Sequence, residues 1–191
     1  MAGRQAKTLT TGQLAAAIKA TRKTRYPARD KAMLLLSAKA GLRAAEIAGL
    51  TWAMITTADG RLADYIALAD NIAKKGSGRT IPLHPLLRAA LLPLQREACN
   101  EGRVIKSERG DAMSAGSVVN WFKTFYQRLG LQGCSSHSGR RTFITMAARR
   151  IAKAGGSIRD VQMLAGHRSL RHTQLYIEGD SQAQRRLVNL I

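Results

Sequence analysis

The chain has 191 residues, and its 31 Lys and Arg residues against 12 Asp and Glu residues give a net charge of +19 at pH 7. A field of this sign attracts polyanions such as nucleic acid, and the 45% share of apolar residues excludes a disordered basic tail. The length suits one domain, with or without a short additional segment. The charge alone does not distinguish an enzyme from a histone-like or ribosomal protein.

The N-terminal part of the sequence predicts helices. A loose basic leader precedes a short helix at about residues 14–18, and the basic run 19–25 fits a solvated face or a contact with phosphate equally well. Pro27 suits the first turn of the next helix, and Gly41 is placed to end it. A second short helix, 44–50, follows at once, so Arg43 is expected at a junction between two helices.

The middle of the chain changes to short β-like runs. These runs are residues 52–55, 65–68 and 80–83, with turn signals at Asp59-Gly60 and Gly76-Ser77-Gly78 between them. The pattern predicts a small three-stranded antiparallel meander.

The rest of the chain is predicted to be helical. Helices are expected over 85–98, with a bend or interruption at Pro93, and over 114–129, 139–152 and 158–165, the last opened by a capping box at Ser157 to Asp160. No repeat or low-complexity linker divides the sequence. We therefore expect one α+β domain, mostly helical, with a small three-stranded antiparallel sheet.

Several residues in the last third of the chain suit chemistry on a phosphodiester. His137 and Arg140 lie close together in sequence, His167 follows a Leu-Ala-Gly segment, and Tyr176 comes nine residues later. A guanidinium group binds non-bridging oxygens, imidazoles share or move protons, and a phenol oxygen can act as a nucleophile. Arg43 supplies a second guanidinium group from the first third of the chain.

These residues resemble the catalytic domain of the tyrosine recombinase (phage integrase) family. The order Arg43, Lys75, His137, Arg140, His167, Tyr176 is similar to the family's full catalytic set, and the resemblance covers about residues 25–180. It implies the DNA breaking-rejoining fold. It also implies cleavage of one DNA strand through a 3′-phosphotyrosyl intermediate, followed by rejoining, without ATP or metal.

The resemblance also implies a role for each residue. Arg43 and Arg140 would clamp the phosphate, and Glu46, three residues after Arg43, would brace the site. Lys75 would protonate the departing 5′ oxygen, although the adjacent Lys74 leaves the register open. Taken alone, each of these residues has a simpler interpretation as a surface ion pair or a solvated turn lysine.

The same resemblance implies which residues transfer the proton and which residue is the nucleophile. His137 would accept the proton of Tyr176 or pass it onward, and His167 would hydrogen-bond the scissile phosphate. Tyr176 would be the nucleophile, because Tyr26 and Tyr65 lie outside the late region and Tyr126 belongs to an aromatic helix face that is most simply core. A capping role for His167 and a packing role for Tyr176 are the structural alternatives.

No cofactor or metal is expected. His137, His167, His172 and Cys134 show no metal-ligand spacing, and no phosphate-binding Gly-rich loop is followed by Lys-Ser/Thr. Two unpaired cysteines and the lack of an apolar leader or membrane-length segment predict a cytoplasmic protein, associated with the nucleoid if the source is bacterial.

The expected partner is double-stranded DNA, with self-association into tetramers in synapsis, as the resemblance implies, and no membrane. The predicted divisions are a basic leader with a short helix (1–25), a catalytic domain (26–179) and a tail helix (180–191) that is exchanged between protomers or folds back on its own core. Most family members carry a separate DNA-binding domain in front, so the sequence fits a catalytic fragment or a naturally minimal enzyme. A type IB topoisomerase and a non-catalytic basic DNA-binding protein are the alternatives.

Overall fold

A computed structural model describes residues 6–73, 76–98, 101–110, 112–176 and 188–189 of the chain. These residues form eight α-helices and a two-stranded sheet: α1 (Thr11–Ala20), α2 (Pro27–Ala40), α3 (Ala44–Gly49), β1 (Tyr65–Leu68), β2 (Arg79–Pro82), α4 (Pro85–Ala98), α5 (Ala115–Arg128), α6 (Ser138–Arg150), α7 (Ile158–Ala165) and α8 (Leu170–Gln174). Within these ranges, no helix is long and apolar enough to cross a membrane.

Helix α2 is the centre of the core. Pro27 occupies its first turn, and Gly41 ends it with a φ of 67°, a left-handed conformation that favours glycine. Both ends were predicted from the sequence. Residues 32–38 are buried all round, because α4 packs on one side of α2 and α6 on another. A helix that is buried on every side needs no amphipathic pattern, and its sequence accordingly reads as a continuous apolar run.

The sheet has two strands, so the prediction of a third strand at 52–55 is wrong. Strands β1 and β2 pair antiparallel, with Ile66 opposite Ile81. Trp52–Met54 instead forms a 3₁₀ turn, in which Ile55 N donates to Trp52 O at 2.9 Å. The flanking residues make only isolated bridges, at Thr51 and Thr56, because the turn uses the backbone groups that a ladder would need.

The predicted helices in the second half of the chain are confirmed. Helix α4 runs through Pro93 without interruption, and the side chain of Ser114 caps α5. The Ser157 to Asp160 capping box opens α7 as predicted. Helix α6 begins at Ser138 and ends at Arg150, where a 3₁₀ turn (Ile151–Ala154) replaces its predicted last residues.

The segment before α1 crosses over α6. Leu9 is buried, and its backbone N donates to Thr142 Oγ1 at 2.8 Å. Lys7 N donates to Gly133 O at 3.0 Å, and a capping box at Thr10 then starts α1. At the other end, the predicted tail helix 180–191 lies outside the described residues, apart from 188 and 189.

Two glycines allow α6 to lie close to α2. A Cβ on Gly139 would come within 2.4 Å of Ser37 Oγ, and a Cβ on Gly41 would come within 2.5 Å of Phe143 Cδ1. No other residue fits these contacts without moving a neighbour. The close crossing brings Arg140, the residue after Gly139, against the C-terminal end of α2.

Candidate active site

Arg140 is anchored to the protein backbone. It is 3% exposed, and its two terminal nitrogens donate to Gly41 O, after α2, and to Ala165 O, at the end of α7. Burial lowers the pKa of Arg140 to about 9, and the charge of Arg43 acts in the same direction. The guanidinium group therefore still carries its charge at neutral pH, and each terminal nitrogen keeps a second hydrogen for another acceptor.

Arg43 and Glu46 form a local pair at the start of α3. Glu46 Oε1 accepts from Arg43 Nη1 at 2.8 Å, and Oε2 accepts from the backbone N of Arg43 at 2.9 Å. The side chain of Glu46 is 1% exposed, whereas that of Arg43 is 23% exposed. The carboxylate is thus fixed in the interior, while part of the Arg43 guanidinium group faces solvent.

Arg79, at the start of β2, is a second partner of Glu46. Its Nη1 and Nη2 donate to Oε1 and Oε2 of Glu46 at 3.1 and 3.0 Å, and its Nε donates to Leu164 O at 2.9 Å. Burial raises the pKa of Glu46, but the hydrogen bonds and charges of Arg79 and Arg43 outweigh it and lower the pKa to about 2. Glu46 is therefore ionised at any pH at which the protein would act.

Arg79 was not among the predicted site residues, although the sequence carries a signal for it. Side chains two residues apart in a strand point to the same face, and Ile81, two residues after Arg79, is an apolar residue suited to the interior. In the structure Ile81 is 1% exposed and the Arg79 side chain is 5% exposed. A buried arginine requires an acidic partner, and Glu46 meets that requirement.

His167 follows α7, where Gly166 ends the helix with a φ of 61°. Its Nδ1 lies 3.0 Å from Thr173 Oγ1, and its ring stacks on Tyr176 with 5.5 Å between ring centroids. Burial lowers the pKa of His167 to about 4, and the charges of Arg140 and Arg43 add to this effect. The ring is therefore neutral near pH 7.

Tyr176 lies two residues beyond the end of α8. Its ring packs against the small apolar cluster of Ile144, Val161 and Ala165, and the Arg141 guanidinium carbon is 5.7 Å from the ring centroid. Its backbone carbonyl accepts a hydrogen bond from Thr145 Oγ1 at 3.4 Å. The Tyr176 phenol and the Arg140 guanidinium group are close enough to interact electrostatically, and this interaction raises the pKa of Arg140.

The structure brings together most of the residues that the sequence singled out. Contacts or electrostatic interactions connect Arg43, Glu46, Arg140, His167 and Tyr176. His137 is exposed at the residue before α6, one turn from Arg140, and its backbone N donates to Ser135 Oγ at 3.3 Å. Lys75, like Lys74, lies outside the described residues.

The charge of this cluster suits an anion. The guanidinium groups of Arg43 and Arg79 bind the carboxylate of Glu46, and Arg140 interacts electrostatically with all three side chains and with the half-buried Tyr176. Three positive charges and one negative charge leave a net charge of +2 among these four side chains. Guanidinium groups in such a site can bind the oxygens of a phosphate and stabilise negative charge that develops on it.

Comparison with known proteins identifies the family. The model of the phage integrase family matches residues 7–183, so the chain belongs to this family. The chain is 30% identical over 157 residues to the tyrosine recombinase XerC of Xanthomonas campestris, a match that covers 81% of this chain and 45% of the relative. A match to the tyrosine recombinase XerD of Shewanella oneidensis, also 30% identical, covers 78% and 48%. The chain thus spans about half the length of the curated relatives it matches.

Solved structures establish the fold. The Tn1549 transposon integrase in complex with circular intermediate DNA superposes with a TM-score of 0.76 at 16% identity, covering 100% of this chain and 67% of that one. The XerA recombinase superposes with a TM-score of 0.75 at 18% identity, covering 100% and 65%. The chain therefore has the tyrosine recombinase catalytic fold, as the sequence predicted.

Proposed function

We propose that this chain is the catalytic domain of a site-specific DNA recombinase of the tyrosine type. The observation that carries the proposal is the convergence of Arg43, Arg140, His167 and Tyr176 on one positively charged site. The Xer relatives are tyrosine recombinases, and one superposed structure is XerH bound to a difH substrate after cleavage. Family membership, charge and site geometry thus support the same reaction.

The first step of the proposed reaction is cleavage of one strand. Tyr176 Oη attacks the scissile phosphorus and forms a phosphotyrosine bond as the bond to the 5′ oxygen breaks. His137 takes the phenol proton, and Lys75 gives a proton to the departing oxygen, which would otherwise leave as an unstable alkoxide. The 3′ end remains attached to the protein, and a 5′ hydroxyl is released.

Arg43 and Arg140 are proposed to stabilise the pentavalent phosphorus intermediate. Arg140 remains charged at neutral pH, and its hydrogen bonds to backbone carbonyl groups hold its guanidinium group in place before the substrate arrives. Preorganised donors of this kind cost little reorganisation during the reaction, which makes them effective in catalysis. His167 donates a further hydrogen bond to a phosphate oxygen.

The second step reverses the first with a different strand. A 5′ hydroxyl of the partner strand attacks the phosphotyrosine bond, returns the proton to the phenol and restores a phosphodiester. Because the covalent linkage conserves the bond energy, neither ATP nor a metal cofactor is part of the proposal.

The proposed partner is double-stranded DNA, and two synapsed sites would hold a tetramer. We also propose the domain division of 1–25, 26–179 and 180–191, with the tail reaching a neighbouring protomer. The lambda integrase, to which the fold is similar, is seen as a dimer bound to a core site. A cytoplasmic location at the nucleoid follows if the source is bacterial.

A covalent trap tests the proposal. The chain is incubated with nicked suicide duplexes that carry a randomised core, and adducts that survive denaturation are recovered and sequenced. The wild-type chain should form adducts on a defined sequence, and Tyr176→Phe should form none while its DNA binding stays within about twofold, because one hydroxyl among many phosphate contacts is lost. Tyr65→Phe, at a tyrosine that is 53% exposed on β1, is the matched control and should form adducts normally.

The same assay separates the alternatives. Absence of adducts with the wild-type chain would favour a non-catalytic DNA-binding protein, and adducts persisting in Tyr176→Phe would mean that another residue is the nucleophile. Relaxation of a supercoiled plasmid that contains none of the recovered sequences would favour a type IB topoisomerase.

A further inference from the structure

The backbone of His167 is fixed by Gln162, and its imidazole ring is fixed by two further contacts. Gln162 is 4% exposed, and its Nε2 donates to His167 O at 2.8 Å, while His167 N donates back to Gln162 O at 3.1 Å. Tyr176 covers one face of the ring, with 26° between the two ring planes. Thr173 Oγ1 occupies the Nδ1 edge at 3.0 Å. The remaining polar atom of the side chain is Nε2.

The hydroxyl of Thr173 has one partner among the described residues. Thr173 is 0% exposed, and within those ranges its Oγ1 contacts only the His167 ring. A hydroxyl carries a single hydrogen, and a buried donor without an acceptor costs free energy. If Nδ1 carried the ring hydrogen and donated to Oγ1, the Thr173 hydrogen would be left without an acceptor there. Among the described residues, both groups are satisfied when the Thr173 hydroxyl donates and Nδ1 accepts.

A neutral imidazole has one hydrogen, which lies on either Nδ1 or Nε2. The ring of His167 is neutral at pH 7, because burial and the neighbouring arginines disfavour its charged form and lower its pKa to about 4. When Nδ1 accepts from Thr173, the hydrogen of the ring belongs to Nε2. Nε2 is then a hydrogen-bond donor, which suits an oxygen of an anion beside Arg140.

We propose that Thr173 is a positioning residue that fixes His167 in the tautomer with its hydrogen on Nε2, so that Nε2 donates to a phosphate oxygen. This inference deepens the proposed function and rests on it for the identity of the acceptor. The tautomer itself is a property of the free protein. It is tested without DNA, so its failure is distinguishable from a failure of the proposed reaction.

The direct test is ¹⁵N NMR of the histidine rings in the full chain at pH 7. The His167 signals, assigned by their loss in His167→Gln, should show a protonated Nε2 and an unprotonated Nδ1 in the wild-type chain and in Thr173→Ser, which keeps the hydroxyl. Thr173→Val, which replaces the hydroxyl with a methyl group of similar size, should show both tautomers in exchange. A protonated Nδ1 in the wild-type chain, or unchanged signals in Thr173→Val, would overturn the proposal.

Adduct formation on the suicide duplex provides the functional test. Removal of one preorganised hydrogen-bond donor typically lowers a reaction rate about 10²–10³-fold. In Thr173→Val the hydrogen of the His167 ring is no longer fixed on Nε2, so the cleavage rate should fall by about tenfold or more. The DNA affinity of Thr173→Val should stay unchanged, and Thr173→Ser, which keeps the hydroxyl, should retain the wild-type cleavage rate. Thr21→Val is the matched control, because Thr21 is also 0% exposed and donates one hydrogen bond, to Ile18 O, away from the site.

The Thr21→Val control also distinguishes a specific effect of the Thr173 hydroxyl from a general loss of stability. If Thr173→Val and Thr21→Val lose thermal stability and cleavage rate equally, the Thr173 hydroxyl has only a structural role and the proposal fails. If Thr173→Val does not fold, the NMR signals of the wild-type chain and the rate of Thr173→Ser decide the question.

Discussion

Arg79 and Glu46 form a two-point ion pair, with Nη1–Oε1 and Nη2–Oε2 distances of 3.1 and 3.0 Å, that joins β2 to α3. The same Arg79 side chain donates to Leu164 O at the end of α7 and lies under Gly166, where a Cβ would come within 2.9 Å of Nη1. One guanidinium group thus connects the first residue of β2, the carboxylate that binds Arg43, and the segment that carries His167.

Arg79→Met should destabilise the protein by about 3 kcal/mol, because loss of one partner leaves a buried charge undercompensated. Urea denaturation of the variant against the wild-type chain measures the change. The double variant Arg79→Met/Glu46→Gln should recover part of the loss, since it removes the uncompensated charge as well.

Arg61→Met is the control for this pair. Arg61 and Asp59 form an ion pair with side chains 85% and 51% exposed, and exposed pairs of this kind contribute little to stability because water screens them. Equal effects of Arg61→Met and Arg79→Met would contradict the importance of burial at Glu46.

Gly139→Ala should destabilise the protein by about 1–3 kcal/mol, because the new methyl group would push α6 away from Ser37. Adduct formation should fall with it, since α6 carries Arg140. Ser37 Oγ is buried without a partner among the described residues, so Ser37→Ala alone should be close to neutral and should partly rescue Gly139→Ala. Thermal unfolding of the four proteins measures these effects.

Gly116→Ala provides a control of opposite sign. Gly116 is exposed in α5, and a Cβ there would meet only Ser114 Oγ, at 3.8 Å. Alanine is the better helix former, so this variant should gain up to about 0.5 kcal/mol. A loss at Gly116 as large as that at Gly139 would argue against a steric cause.

The protein should lose stability as the pH falls from about 6.5 to 4, owing to His167. The pKa of His167 is lowered from 6.5 to about 4 in the folded chain, so the unfolded chain binds the proton first on acidification. Because the ring is only half-buried, we expect a loss of about 1–2 kcal/mol across this range, less than the full shift would give.

The check is the free energy of unfolding at pH 7 and pH 4.5. His167→Gln should lose less stability than the wild-type chain between these values, because it removes the group that the unfolded chain protonates first. Glu46 acts in a lower window, because its pKa falls from 4.5 to about 2 and its contribution is lost only below about pH 4.5. An unchanged pH dependence in His167→Gln would contradict the assignment.

DNA binding should weaken steeply with salt, and residues of the basic run 19–25 should contribute unequally. Arg22 and Lys23 are exposed and have no ion-pair partner within the described ranges, whereas Arg25 pairs with Glu108. Each phosphate contact adds about 0.9 to the slope of log affinity against log salt concentration. Arg22→Gln/Lys23→Gln should therefore reduce the slope by about 2, and Arg25→Gln by less.

Fluorescence anisotropy with a labelled duplex at several salt concentrations measures these slopes. A slope that Arg22→Gln/Lys23→Gln leaves unchanged would mean that the run is a solvated face without contact to phosphate.

Local sequence signals predicted much of the fold. The ends of α2 follow from Pro27 and Gly41, and the start of α7 follows from the capping box at Ser157, because these signals act within one helical turn. The run at 52–55 misled the prediction, since an apolar segment with Trp52 and Ile55 fits a strand and a 3₁₀ turn equally well.

Long-range partners could not be predicted in the same way. Arg140 binds the carbonyl groups of Gly41 and Ala165, which are 99 and 25 residues away, and a backbone carbonyl gives no sequence signal. The pairing of Glu46 with Arg79 across 33 residues depends on where β2 lies beside α3. The candidate set was proposed from the order of its residues, but the contacts that hold those residues could not be.

The hydrogen bonds from the Arg140 side chain to backbone carbonyl groups have an evolutionary consequence. Its side chain closes the gap between the end of α2 and the end of α7, so replacing it would harm folding as well as chemistry. Tyr176 is half-buried, so its loss would remove the proposed reaction at a smaller structural cost. Descendants that have lost the reaction should then keep an arginine at 140 while 176 drifts, and a survey in which both positions vary together would contradict this.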